Sequence, residues 1–318
     1  MNPGQGKQAG KWIADQIPSQ LGRRIVITGA NSGIGFETAR ELARRHAEII
    51  LPARSAKKAD QAANRILREM PSAKIIPAIL DLASQASIRE FVSWYSRQFP
   101  GNSIDLLINN AGVMAVPQRE LTVDGFERQF ATNFLGPFAL TALLDPHLRV
   151  QTGTRIVIVS SSVTKWATLD FGNLQGERAY KPWVAYGQSK LADSLFAVEL
   201  QRRLIAARSP VIATSAHPGY AITNIQISGP GRGHSLFRAF DSIFKPIAAQ
   251  DAAHGALPIL FAATSSEVRP GGYYGPDGKF ELKGYPTEVQ IPSRARNPAV
   301  AERLWHEAER LTGIEFRL

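Results

Sequence analysis

Tyr186 and Lys190 stand four residues apart in a stretch, Trp183 to Ala207, that reads as one long helix. Residues at i and i+4 share a helix face, which makes a phenol and an ammonium neighbours. A cation held against a tyrosine hydroxyl favours the phenolate and lowers a pKa that is ordinarily about 10. Such a pair can give and take a proton. The same spacing also joins exposed residues with no joint role, so the chemistry needs partners elsewhere in the chain.

One partner is the turn Thr28-Gly29-Ala30-Asn31-Ser32-Gly33-Ile34-Gly35. It follows a β-branched run, Arg24 to Thr28, and opens a periodic segment from Ile34 to Arg45. Strand, glycine turn and helix in that order let backbone approach a pyrophosphate, with the helix N-terminus supplying donors and positive potential. A loose G-x-x-x-G-x-G match is weak alone; the strand before it and the helix after it give it weight. The second strand ends in Leu51-Pro52-Ala53-Arg54-Ser55, with Lys57 and Lys58 just beyond. An acid at that place suits a free ribose 2′-hydroxyl, whereas an arginine accommodates a 2′-phosphate. Arg54 therefore predicts NADP(H) in preference to NAD(H); the competing explanation is an ordinary surface arginine at a helix start.

The elements that must position these groups alternate. Strands are expected over Glu48 to Ala53, Lys74 to Leu80, Ile104 to Ile108, Arg155 to Ser160 and Val211 to Ala216. Helices are expected over Lys57 to Met70 and Ser84 to Phe99. A further helix runs from about Val123 towards Leu148, with a break at Asp145-Pro146, and others cover Gln250 to Ala263 and Pro298 to Thr312. Alternation of this kind implies a mostly parallel sheet with helices on both faces, an α/β architecture. The Gly, Ser and Pro rich stretch 223–247 is expected to act as a substrate lid. Residues 1–22 form an N-terminal extension, 298–318 a C-terminal helix and tail, and the whole chain one domain.

Composition removes several function classes. Cysteine is absent, which excludes disulfides, thiolate nucleophiles and cysteine metal sites; the six histidines are dispersed, and no metal site is expected. The formal charge of +10 arises from 37 basic and 27 acidic residues spread along the chain without a long basic run or an aromatic-rich motif. That pattern disfavours nucleic acid as a partner. Residues 1 to 21 lack the apolar core of a signal peptide, and no stretch approaches the ~20 apolar residues of a membrane helix. A cytoplasmic protein without a membrane span is the expectation.

Taken together, Thr28 to Gly35, Asn109-Asn110-Ala111-Gly112, Asn133, Ser161, Tyr186-x-x-x-Lys190 and Pro218-Gly219 resemble the short-chain dehydrogenase/reductase family in order and spacing, over about Arg23 to Thr223. Leu121-Thr122-Val123-Asp124-Gly125-Phe126-Glu127, Asn173-Leu174-Gln175-Gly176-Glu177 and His217-Pro218-Gly219 resemble its retinol-dehydrogenase-like and WW-domain-oxidoreductase-like branch. The resemblance implies one doubly wound Rossmann domain with a seven-stranded sheet. It implies a cofactor held by Gly29, Asn31, Ser32, Gly33, Ile34 and Gly35, with Arg54 at the ribose phosphate. Asp81 and Leu82 would border the adenine, Asn109, Ala111 and Gly112 the ribose, and Pro218, Gly219 and Thr223 the nicotinamide. Tyr186 would be the acid or base, Lys190 would lower its pKa and hold the nicotinamide ribose, Ser161 would orient the carbonyl, and Asn133 would anchor a relay water. Each residue has a bland alternative: Asp81 as a helix cap, Asn109-Asn110 as a plain turn. Period-two alternation sends Ser160 and Ser162 to the face opposite Ser161.

Pro137 lies four residues beyond Asn133 and has no N–H to bond the carbonyl of residue 133 in a regular helix. Either this leaves the carbonyl open to water or it merely kinks the helix. Phe171, Trp183, Tyr220, Ile225, Ile227, Leu236 and Phe237 could line an apolar pocket, which suggests a hydrophobic ketone, aldehyde or alcohol as the small-molecule substrate, although core packing explains several of them as well. Retinoids are disfavoured by the lack of an N-terminal anchor. A non-catalytic NADP(H) sensor on the same fold is the competing function class. The family resemblance suggests a homodimer or homotetramer.

Overall fold

In a computed structural model, residues 11–101, 103–148, 153–221 and 250–318 are described. Arg24–Ile27 (β1) lies inside an eight-stranded sheet and pairs with Glu48–Ala53 (β2) on one side and Leu106–Asn109 (β4) on the other. Lys74–Ile79 (β3) extends the first side. Arg155–Val159 (β5), Ile212–Ala216 (β6), Tyr273–Pro276 (β7) and Pro286–Glu288 (β8) extend the second, giving the order β3-β2-β1-β4-β5-β6-β7-β8. All pairs are parallel except β7 with β8. Ile25, Val26 and Ile27 are fully buried, as are Leu106, Leu107 and Ile108. That double-sided burial is why both strands read as unbroken apolar runs.

Two helical layers cover the sheet. On one face, Gln85–Gln98 (α3), Gly136–Leu148 (α5), Pro182–Ala206 (α6) and Pro298–Thr312 (α8) enclose a core in which Phe138 meets the rings of Phe196, Trp305 and Phe316. On the other, Gly33–Arg44 (α1) packs with Ala252–Thr264 (α7), and Trp12 from the N-terminal segment sets its ring edge-on to Phe261. Ala56–Glu69 (α2) covers β2 and β3 and buries Ala59, Ala62, Ala63 and Ile66 along one stripe. No helix among the described residues is long and apolar enough to cross a membrane.

The structure corrects several expectations. The sheet has eight strands where seven were expected: the chain turns back after β7 and adds β8 antiparallel at the edge. The glycine-rich stretch 271–278 holds β7, a strand that the alternation read from the sequence did not include. The helix expected from Val123 starts at Arg128 (α4, Arg128–Phe130). Gly125 adopts φ 81 and closes a turn onto the Thr122 carbonyl; the Glu127 side chain then caps the helix by accepting from Gln129 N and Phe130 N. A π-helical turn, Ala131–Leu135, joins α4 to α5, with Gly136 N donating to the Ala131 carbonyl. Pro137 thus follows a π-bulge rather than a kink. α5 also runs through Pro146 to Leu148 without the expected break.

Candidate active site

The strand order reverses between β1 and β4, and a cleft of about 1410 Å³ opens there at the carboxyl ends of the strands. Crevices at such switch points are where doubly wound sheets take ligands. Its volume exceeds the ~300–1,000 Å³ usual for small-molecule sites. Gly29, Asn31, Ser32, Gly33, Ile34, Gly35, Arg54, Asp81, Leu82, Ala111, Gly112, Tyr186, Lys190 and Pro218 all line it. Asn109, Asn133, Ser161 and Gly219 lie off that wall, and Thr223 and the lid segment lie outside the described residues.

At the phosphate end, Gly29 takes φ 70, and a Cβ there would sit 2.7 Å from Ala111 Cα. A Cβ on Gly35 would fall 2.6 Å from the Gly29 carbonyl oxygen. Glycine is therefore required for the turn and the helix to close on each other. Ser32 is the N-cap of α1 but its side chain accepts no capping bond, so the first-turn N–H groups face the cleft without a protein acceptor from that side chain. Arg54 and Lys58 stand exposed on the same wall, with no hydrogen-bond or ion-pair partner for either side chain among the described residues. A glycine cradle and open helix donors fit the phosphates of a dinucleotide, and two unpaired cations stand on the same wall. Arg65, which the sequence did not single out, lays its guanidinium 3.8 Å from the centre of the Phe36 ring on the same side of the cleft.

Thr28 and Asn110 hold the middle. Thr28 Oγ1 accepts from Asn110 N and Ala111 N at 3.0 Å each, and Asn110 Nδ2 donates to the Thr28 carbonyl at 2.9 Å. Asn109, expected at the ribose, points the other way: it is buried, and its Nδ2 donates to Thr141 Oγ1 on α5 at 3.0 Å. Asp81 does not cap the following helix. Its Oδ1 accepts from Ala83 N at 3.0 Å in an Asx turn, and Ser84 is the α3 cap.

At the reactive end, α6 begins with Pro182 in its first turn and carries Tyr186 and Lys190 on one face. Lys190 Nζ donates to the Val159 carbonyl at 2.8 Å and to Asp193 Oδ2 at 2.9 Å. Burial works against the ammonium, but Asp193 and the field of Tyr186 outweigh it, and Lys190 is held above its ordinary value. Burial lifts Asp193 to about 7 despite the lysine beside it. Of the serine run, Ser160 is buried and bonds the Lys190 carbonyl and Ser194 Oγ, while Ser161 is half-buried and caps the 3-10 turn Ser162–Lys165. Alternation separates Ser160 from Ser161, but of the two it is Ser160, not the expected Ser161, that lines the cleft. Asn133 bonds backbone and serine: Oδ1 accepts from Val113 N at 2.7 Å, and Nδ2 donates to the Val113 carbonyl at 2.9 Å and to Ser189 Oγ at 2.8 Å.

Behind Pro218, His217 is fully buried. Its Nδ1 accepts from Gly219 N at 3.2 Å, so the proton sits on Nε2, which donates to Glu281 Oε2 at 2.9 Å. Glu281 also pairs with Lys165 at 2.8 Å, tying the turn after Ser161 to the turn at Pro218. Nothing in the sequence flagged Asp193 or Glu281 beyond their being acids. Among the described residues, no group of acids and histidines could hold a metal ion.

A model of the short chain dehydrogenase family matches residues 23–229. Retinol dehydrogenase 12 of Mus musculus is 37% identical over 95% of this chain and 89% of its own length. Polyprenol dehydrogenase of the same species is 37% identical over 93% and 86%. A crystal structure of a putative uncharacterized protein from Mycobacterium paratuberculosis superposes with a TM-score of 0.78 at 40% identity, covering 97% of this chain and all of that one. The chain belongs to the short-chain dehydrogenase/reductase family, an oxidoreductase family, and within it to the branch of the retinol dehydrogenases.

Proposed function

We propose that this protein is an NADP(H)-dependent oxidoreductase that moves a hydride between the nicotinamide and a carbonyl or alcohol carbon of a hydrophobic substrate. The observation that carries the reading is the buried ammonium of Lys190 on the same face of α6 as Tyr186, at the floor of a dinucleotide-sized cleft. When bound, the cofactor supplies or accepts the hydride. In carbonyl reduction the Tyr186 hydroxyl gives its proton to the substrate oxygen, and Lys190 stabilises the phenolate left behind. Ser161, which caps the turn after β5 and lies off the cleft wall, is assigned to orient that oxygen. Asn133 fixes the backbone of Val113 beside this pair and is assigned to anchor a relay water. In the reverse direction the proton transfers run backwards.

Arg54 and Lys58 support the 2′-phosphate form of the cofactor. Asp81 and Leu82 take the adenine end, Asn110, Ala111 and Gly112 the ribose, and Pro218 and Gly219 the nicotinamide. Relatives named retinol dehydrogenase and polyprenol dehydrogenase support an isoprenoid alcohol as one candidate substrate class. Trp166 and Trp183, 71% and 44% exposed, support an apolar ligand: they lie on the turn after Ser161 and on the first turn of α6. The test is loss of NADPH absorbance in the presence of all-trans-retinal, a polyprenal and medium-chain aldehydes and ketones. Turnover of at least one is expected. Tight NADPH binding without turnover of any would favour a non-catalytic NADP(H) sensor.

A further inference from the structure

Lys190 keeps its charge in a place that opposes it. Its side chain is 6% exposed, between α6, the end of β5 and the 109–112 turn. Burial alone drives a lysine towards the neutral amine. Two acceptors meet its ammonium. The Val159 carbonyl takes one hydrogen and orients the group without neutralising it. Asp193 Oδ2 takes another and is an anion, itself 2% exposed and one helical turn further along α6. A side chain on Gly112 would begin 3.5 Å from Nζ, so the ammonium lies against the backbone of the cleft wall.

Asp193 has little else to do there. Its Oδ1 is buried without a hydrogen-bond partner, and Lys190 is the ionisable group that acts on it among the described residues. A carboxylate serving only the stability of α6 belongs at the surface, or needs both oxygens satisfied, because a half-satisfied buried charge is costly. Here the geometry has one evident return, a lysine fixed in place and kept protonated.

We propose that Asp193 is a positioning residue for the proton-transfer pair, holding Lys190 as an ammonium against the 109–112 turn with its third hydrogen left for the cofactor side. The proposal rests on Lys190 having the role given above. The directions of titration agree with it: Asp193 and Tyr186 are what keep Lys190 charged against burial, and Asp193 itself turns over at about 7. The groups facing Lys190 are Asp193 and Tyr186 on its own helix, the Val159 carbonyl on β5 and the Gly112 backbone on the turn.

The test is an NMR titration of the full-length protein carrying ¹³Cε-lysine, with Lys190 assigned by its loss in Lys190→Met. Asp193→Asn keeps the size and one acceptor but not the charge. In the wild type Lys190 should titrate above the ordinary lysine value of about 10.4. In Asp193→Asn the midpoint should drop by about one unit or more, and in Asp193→Glu most of it should return. NADPH dissociation constants at pH 7.5 and 9.5 should diverge in Asp193→Asn by about twofold or more beyond the wild type, since the lysine begins to discharge in that interval. An unchanged Lys190 midpoint in Asp193→Asn overturns the proposal. Should that variant not fold, Asp193→Ser takes its place, with the same drop expected and the same unchanged midpoint contradicting it. The titration needs neither cofactor nor substrate, so a protein inactive on every carbonyl would sink the functional reading and leave this result standing.

Discussion

Asn133 closes both ends of its amide on the backbone of one residue, Val113, with Oδ1 accepting from the N–H at 2.7 Å and Nδ2 donating to the carbonyl at 2.9 Å. The second Nδ2 hydrogen reaches Ser189 Oγ, so one side chain joins the π turn, the segment after β4 and the helix of Tyr186. Asn133→Ala leaves a backbone donor and acceptor of Val113 without these partners. A stability loss of about 1–3 kcal/mol is expected from such unmade bonds. Asn133→Asp should be worse, since a carboxylate oxygen would face the Val113 carbonyl. Chemical denaturation checks this, and an Asn133→Ala protein as stable as the wild type would contradict it.

Arg54 lines the cleft without a partner and should meet the ribose phosphate. Arg54→Asp places an acid where the free 2′-hydroxyl is normally read. NADPH affinity should fall by at least ~tenfold, as for loss of a charge-assisted pair worth about 1.5–3 kcal/mol, while NADH affinity holds or rises. Fluorescence titration of both cofactors measures it. An unchanged NADPH preference would remove Arg54 from the site.

His217 makes the stability of this end of the sheet depend on pH. Burial depresses its pKa below the ordinary 6.5, and the Gly219 N–H occupies Nδ1. As pH falls below 6.5 the unfolded chain takes up a proton that the folded protein refuses, so stability drops with falling pH, by at most about 1.4 kcal/mol per unit. Glu281, held below the usual carboxylate range chiefly by its bond to His217 and also by Lys165, adds to the loss below about 4.5. Denaturant unfolding between pH 7 and 5 should show a slope in the wild type that is reduced in His217→Gln. Equal slopes would contradict the assignment.

The phosphate turn was legible because its signals are contiguous: β-branched strand, glycines and helix fall within Arg24 to Arg45. That Tyr186 and Lys190 share a helix face was legible through helical period, while their roles came only with the family resemblance. Asn109 and Asn110 could not be sorted, because the strand ends between them and period two stops there. The amide that bonds Thr28 belongs to Asn110, while Asn109 faces Thr141. The late start of α4 was written in Gly125 and Glu127, but the apolar residues before them resembled the helix they precede. β8, three residues with a proline at its head, pairs only at an edge and carries no pattern of its own. Asp193 was visible one turn beyond Lys190, yet its role depends on burial that spacing does not report.

The central claim is that the Tyr186 hydroxyl carries the proton while Lys190 and its neighbours only prepare it. NADPH-dependent reduction of a hydrophobic aldehyde by Tyr186→Phe measures this directly, with NADPH binding determined on the same sample. A fall in kcat of about 10²–10⁴-fold is expected, with cofactor affinity nearly intact, as for the loss of a general acid. Turnover within a few fold of the wild type would contradict it.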